Sequence, residues 1–97
     1  MGAVLGRIHI NLAHKFYKPS VAQIAAFTVY AFTVGHPFND GNKRTSLAIG
    51  DLILLMNGKE AIRSECQFEL ADLIVDLAAK RVRQNDFISA YLDLLKR

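Results

Sequence analysis

With 97 residues, 52% of them hydrophobic and 22% charged, the chain is sized for one domain and is too apolar to be intrinsically disordered. Its net charge of +3 and pI near 9.2 suit an acidic or phosphate-bearing partner, but the basic residues are scattered, whereas a dedicated nucleic-acid binder clusters them. The single cysteine, Cys66, excludes an internal disulfide, has no clustered ligands for a metal, and fits a reducing cytoplasm.

The opening MGAVLGRIH has neither a basic n-region nor a long apolar core, so no signal peptide is expected. Gly6 stands where a myristoylation motif requires Ser or Thr. Residues 3–14 place Val4, Leu5, Ile8 and Leu12 on one side at helical spacing and predict a first helix. His9 and His14 are five residues apart and fall on different faces, a poor spacing for a shared metal. After a polar break, Ser20 and Gln23 form a capping-box pair that opens a second helix, with Ile24, Phe27, Ala31 and Val34 recurring inward. Gly35 is expected to end it in a left-handed turn, and Pro37 confirms the stop. The apolar run 24–34 is far short of the roughly 20 residues that cross a bilayer, so the reading is of a soluble protein with no membrane partner.

A third helix is expected to start near Asn42, capped by that residue, and to run to Met56 or Asn57, where Gly58 closes it. Only Gly50 and Asp51 interrupt the apolar residues over 47–56, which predicts a helix buried on nearly all sides, the axle of the fold. Residues 58–63 read as a turn or short extended piece. Ser64 and Gln67 repeat the capping-box spacing and open a fourth helix, with Phe68, Ala71, Ile74, Val75 and Ala78 inward and Glu69, Asp72, Asp76 and Lys80 in water. Lys80, Arg81 and Arg83 then place cations at the negative end of that helix dipole. Asn85 or Asp86 caps a last helix that turns Phe87, Ile88, Tyr91, Leu92 and Leu95 inward. With no repeat and no alternating run, the fold class is all-α: a single domain over residues 1–97, a compact bundle of about five helices.

Chemistry concentrates in HPFNDGNKRT, residues 36–45, between the two most apolar helices. Residues 41–45 lie at a helix start, where free N–H groups and the positive dipole end attract anions. Lys43 and Arg44 add charge, and Gly41 lets a phosphate oxygen approach the backbone. Asp40 suits Mg²⁺ held by one carboxylate together with phosphate oxygens and water. His36 is placed to take the proton of an attacking hydroxyl, histidine being the side chain that ordinarily titrates near neutral pH. A purely structural account makes His36 and Asp40 caps and leaves the cations solvated. It explains each residue singly, but not why a base, an acid and an anion nest share one loop. A P-loop does not fit: five residues separate Gly35 from Gly41, Asn42 follows where lysine is needed, and no strand precedes. Phe38 reads as a hydrophobic anchor for the loop.

HPFNDGNKRT resembles the signature of the Fic/Doc family, H-x-F-x-[D/E]-G-N-x-R-x-x-R. The match is at His36, Phe38, Asp40, Gly41, Asn42 and Arg44, six specified positions within nine residues. The AVLGRIH opening and the GNKRT variant are most similar to the Doc (death-on-curing) branch. The resemblance implies a small helical bundle with the active-site loop between its two central helices. It implies His36 as general base and Asp40 as Mg²⁺ ligand. Gly41 and Asn42 would be the backbone and amide contacts to phosphate, and Lys43 and Arg44 the charge stabilisers. Thr45, like Phe38, is expected to be structural.

Two departures bear on the reaction. Members of the family that transfer AMP mostly carry glycine where Lys43 stands and a second arginine where Leu47 stands, and so make room for the other phosphates. The resemblance implies that Doc-like members instead bind ATP reversed and act as protein kinases on a threonine of elongation factor Tu, blocking translation as toxins of toxin–antitoxin modules. The expected cofactors are ATP and Mg²⁺. The expected partners are a Phd-like antitoxin protein and elongation factor Tu, with nucleic acid met only through the antitoxin. The N-terminal flap that docks the target backbone is expected to be missing here, and no S-x-x-x-E-[G/N] inhibitory motif occurs, so inhibition falls to the antitoxin. Transfer of AMP or another nucleotide is the alternative chemistry. An inactive module that only holds a nucleotide or a partner is the alternative from outside enzymology.

Overall fold

The computed structural model describes residues 19–97, so the helix expected over residues 3–14, with His9 and His14, lies outside that range. Four α-helices follow in order: α1 (Val21–Gly35), α2 (Asp40–Met56), α3 (Gln67–Ala78) and α4 (Gln84–Lys96), with a single 3-10 turn, Ser64–Cys66, leading into α3. No strand occurs among the described residues, and the all-α class holds.

α1 begins as its sequence dictates. Ser20 Oγ accepts the Gln23 N–H at 3.1 Å, and Gln23 Oε1 accepts the Ser20 N–H at 2.8 Å, so two orphan donors of the first turn are satisfied reciprocally. Ala25, Ala26, Phe27, Thr28, Val29, Ala31, Phe32 and Thr33 are all buried, and α1 packs against α2, α3 and α4. Thr28 and Thr33 enter this apolar setting by donating their hydroxyls back to Ile24 O and Val29 O. The axle of the fold is therefore α1, and α2, expected to fill that place, buries only Ser46, Gly50 and Leu54. Leu52, Leu55 and Met56 are exposed. A run of apolar residues carries no phase, and burial went to the face of α2 that meets α1.

That face is set by Gly50. A Cβ there would lie 2.1 Å from Tyr91 Oη and 2.8 Å from Val29 Cγ2, so only glycine lets α1, α2 and α4 close together. Tyr91, Phe87, Leu70, Ile74 and Leu54 complete the core around Phe27, each fully buried side chain contributing about 1.5–3 kcal/mol. Asp51, the other interruption of the apolar run, ties α2 to the next segment by accepting the Ile62 N–H at 3.2 Å and Gln67 Nε2 at 3.3 Å.

Several expected boundaries move, each for a local reason. Gly35 remains helical without a positive φ, and at this end of α1 the His36 ring, not a left-handed turn, meets the Phe32 carbonyl. Gly58 does take φ 73°, and Lys59 donates to Leu54 O at 2.8 Å, so α2 ends in the left-handed turn its glycine predicts. Ser64 and Gln67 form no capping box: Gln67 spends its amide on Asp51 and Ile62 O, and a 3-10 turn occupies the junction. α3 consequently buries Leu70, Ile74 and Leu77, while Phe68 is 83% exposed. At its end Lys80 adopts φ 62°, and Arg81 turns to Asp76 at 3.0 Å. Neither Asn85 nor Asp86 caps α4, whose N-cap position is Arg83 without a side-chain hydrogen bond; Leu92 and Leu95 pack half-buried against the core as expected, and Leu94 is more deeply buried than either.

Candidate active site

α1 and α2 are joined by His36, Pro37, Phe38 and Asn39. Proline at 37 biases the preceding residue to extended backbone, and His36 takes φ −130° and ψ 152°, leaving the helix axis at that point. Its imidazole folds back on the last turn of α1, stacked on Phe32 with ring centroids 4.3 Å apart and an interplanar angle of 21°. Nδ1 lies 3.1 Å from Phe32 O. A carbonyl oxygen only accepts, so Nδ1 is the donor in this contact, and in the neutral ring Nε2 carries the lone pair. The same contact that caps α1 therefore sets the tautomer a general base requires.

On the other side Asn39, extended at φ −148°, is the N-cap of α2, and its Oδ1 accepts the Asn42 N–H at 2.9 Å. The helix thus begins at Asp40, two residues before the expected start, and Asn42 is a capped residue instead of the cap. Asn42 Nδ2 donates to Pro37 O and closes the loop on itself. Phe38 is 42% exposed and does not anchor the loop; the two asparagines hold it. Thr45 Oγ1 donates to Gly41 O at 3.0 Å, a structural contact.

What remains free defines the chemistry. Asn42 N–H goes to Asn39 Oδ1 and Lys43 N–H to Asn39 O, while the N–H groups of Asp40 and Gly41 have no acceptor among the described residues. Lys43 and Arg44 form no ion pair among the described residues, although they stand in the first turns of a helix, where the dipole disfavours cations. Two unneutralised cations beside open N–H groups make a place where an anion would be favoured. Gly41 carries the same message: a Cβ there meets only Asn39 Oδ1, at an ordinary 3.4 Å, and φ is not positive. The fold has no need of glycine at 41, and its absence of a side chain leaves the backbone there open to close approach.

Asp40, Lys43, Arg44 and Leu47 of α2 line one side of an open cleft of about 420 Å³, faced by Gln67, Phe68 and Ala71 of α3. Of the candidate residues, Asp40, Lys43 and Arg44 share this cleft, whereas His36, Gly41 and Asn42 belong to the loop and helix start beside it. No group of three or more His, Cys, Asp or Glu residues able to hold a metal occurs among the described residues. The exposed Asp40 carboxylate, without hydrogen bond or ion pair among them, fits a divalent ion only as one ligand beside phosphate oxygens and water. Asn39 and Phe32 escaped the sequence reading. Asn39 had a signal, since it stands three residues before Asn42 in capping register, but Asp40 and Asn42 compete for the same role. The Phe32 contact had none beyond its spacing of four from His36.

Comparison with known proteins places this loop in context. A model of the Fic/DOC family matches residues 4–54, which include α1, the loop and most of α2. Protein kinase doc of Escherichia phage P1 is 34% identical over 95 residues, covering 98% of this chain and 69% of that protein. No solved structure matches the chain.

Proposed function

Because the chain belongs to the Fic/DOC family, we propose that it is a Doc-type toxin, a kinase that moves the terminal phosphate of ATP to a hydroxyl of a protein target. By family resemblance the target is a threonine of elongation factor Tu, translation stops, and a Phd-like antitoxin restrains the enzyme in the cytoplasm. The observation that carries the kinase chemistry is the cleft wall. Lys43 and Leu47 both line the cleft, at the positions where, by family resemblance, AMP-transferring members carry a glycine and an arginine for the nucleotide's other phosphates, and this supports the kinase reading. One phosphoryl group is left for the open N–H groups of Asp40 and Gly41.

The reaction needs little covalent participation from the protein. Nε2 of His36 takes the proton of the attacking hydroxyl, whose oxygen bonds to the terminal phosphorus as the bond to the bridging oxygen breaks and ADP departs. The Nδ1–H bond to Phe32 O keeps Nε2 as the acceptor and stabilises the imidazolium that forms. Lys43 and Arg44 balance charge on the transferring group, with the dipole of α2 aligned in support. Asp40 would hold Mg²⁺, which neutralises phosphate charge when bound; Gly41 and Asn42 keep the helix start open and in place.

Mass spectrometry of a translation extract incubated with the chain and ATP tests the proposal. A gain of one phosphate on a single protein, lost with His36→Ala, is expected. A gain of AMP would replace the kinase with a nucleotidyl transferase, and no adduct at all would leave a binding module.

A further inference from the structure

Thr33 and Ser46 are buried side chains from two different helices, 5% and 1% exposed, and their hydroxyls meet at 3.1 Å. Thr33 already donates its hydrogen to Val29 O at 2.8 Å, so Ser46 is the donor of the pair and the order is Ser46 to Thr33 to Val29 O. This relay joins α1 three residues before His36 to α2 two residues after Arg44. Of the site's other hydrogen bonds, the one from Asn42 Nδ2 to Pro37 O also crosses the junction, but it reaches the loop and not the body of α1. His36 is held by Phe32 of its own helix, and Asn42 by Asn39 and Pro37 of the loop.

We propose that the Ser46–Thr33 hydroxyl relay is a positioning device that sets the placement of His36 relative to the phosphate holder at Asp40–Arg44. This deepens the reading above and rests on it. The base is carried on the last turn of α1, and the groups that receive the phosphate are all carried on the first turn of α2. Sliding one helix against the other leaves each half intact and separates base from phosphate. Apolar packing resists such sliding only weakly in direction, since it is non-directional, whereas a buried hydroxyl pair has one geometry. Ser46 and Thr33 are thus positioning residues that touch neither substrate nor metal.

Ser46→Ala is the informative substitution, because Thr33 keeps its bond to Val29 O and no buried donor is stranded. Expected are an unchanged affinity for Mg·ATP, a melting temperature lowered by a few degrees at most with the chain fully folded at the assay temperature, and a kcat lowered about tenfold, the scale of a sub-ångström misplacement of a reacting group. Thr33→Ser, which keeps the hydroxyl, retains the wild-type kcat. A second readout does not depend on turnover. With Mn²⁺·ATP bound, the paramagnetic broadening of the His36 ring resonance, assigned with a His36→Gln variant, reads the distance between imidazole and metal. It is expected to change in Ser46→Ala and to stay wild type in Thr33→Ser. Identical broadening and identical kcat in Ser46→Ala overturn the proposal, as does a kcat that falls only with the folded fraction. Absence of phosphate transfer by the wild-type chain overturns the kinase reading alone, and the broadening comparison then decides on the relay.

Discussion

Replacing Gly50 and Tyr91, singly and together, measures how closely α2 is held to the core. Tyr91 is fully buried, and its hydroxyl has no hydrogen-bond partner among the described residues. Burial first, and then the nearby negative charge of Asp51, push its ionisation far above the usual range, so the group stays a neutral, unsatisfied donor. Tyr91→Phe removes the stranded hydroxyl and is expected to stabilise the fold by about 1–2 kcal/mol, within the cost of an unmade buried hydrogen bond. For a domain of this size each kcal/mol raises Tm by about 4–8 °C. Gly50→Ala acts in the opposite direction. Helix propensity favours alanine by about 1 kcal/mol, but the new Cβ falls 2.1 Å from Tyr91 Oη. The ring cannot retreat, since it is enclosed and tilted against Phe87 at 6.2 Å. Overpacking of this kind costs about 1–3 kcal/mol, sometimes more, and a net loss of about 2 kcal/mol is expected at so short a contact. In the double variant the closest clash is gone, and Val29 Cγ2 at 2.8 Å is the tightest neighbour left. Urea titrations of the four chains should therefore show a favourable coupling of about 1–2 kcal/mol between the two sites. A coupling below about 0.5 kcal/mol, the scatter expected of independent sites, or a Tyr91→Phe variant less stable than the parent, would refute the reasoning.

The loop makes further expectations. His36→Ala is expected to lower phosphate transfer by about 10²–10⁴-fold, the contribution of one positioned base, while isothermal titration with Mg·ATP shows binding retained. Gly41→Ala should raise stability by about 0.5–1 kcal/mol, because the helix accepts the Cβ. ATP affinity should fall about tenfold or more, as one charged hydrogen bond to the backbone is lost. Thermal melts and binding curves on the same sample show whether the two effects part. Asn39→Ala removes the cap of α2 and should cost about 1 kcal/mol, seen as a lower Tm. Lys80→Gly relieves a left-handed non-glycine residue and should stabilise by about 1 kcal/mol, measured by urea titration.

Local signals in the chain were legible where the partner lies within a few residues. The Ser20–Gln23 capping box and the left-handed Gly58 depend on neighbours three or four positions away, and both appear as their spacing predicts. The family signature likewise lies within nine residues, which is why His36, Asp40, Gly41, Asn42, Lys43 and Arg44 could be named from order alone. Where two local roles competed for one residue, order was insufficient. Asn39, Asp40 and Asn42 are all good caps, and only the folded loop shows that Asn39 caps while Asn42 staples. Gln67 abandons its own capping box for Asp51, sixteen residues earlier.

The amino-acid order by itself determined the helical class and the place of a polar, charged loop at a helix start, because helix periods and helix ends are short-range properties of the backbone. Only the tertiary structure decided which helix is central and which face of α2 is buried. Those outcomes turn on contacts between distant residues: Gly50 against Tyr91, and Ser46 against Thr33. An apolar run states how much surface seeks cover, and the neighbours that supply the cover choose its direction.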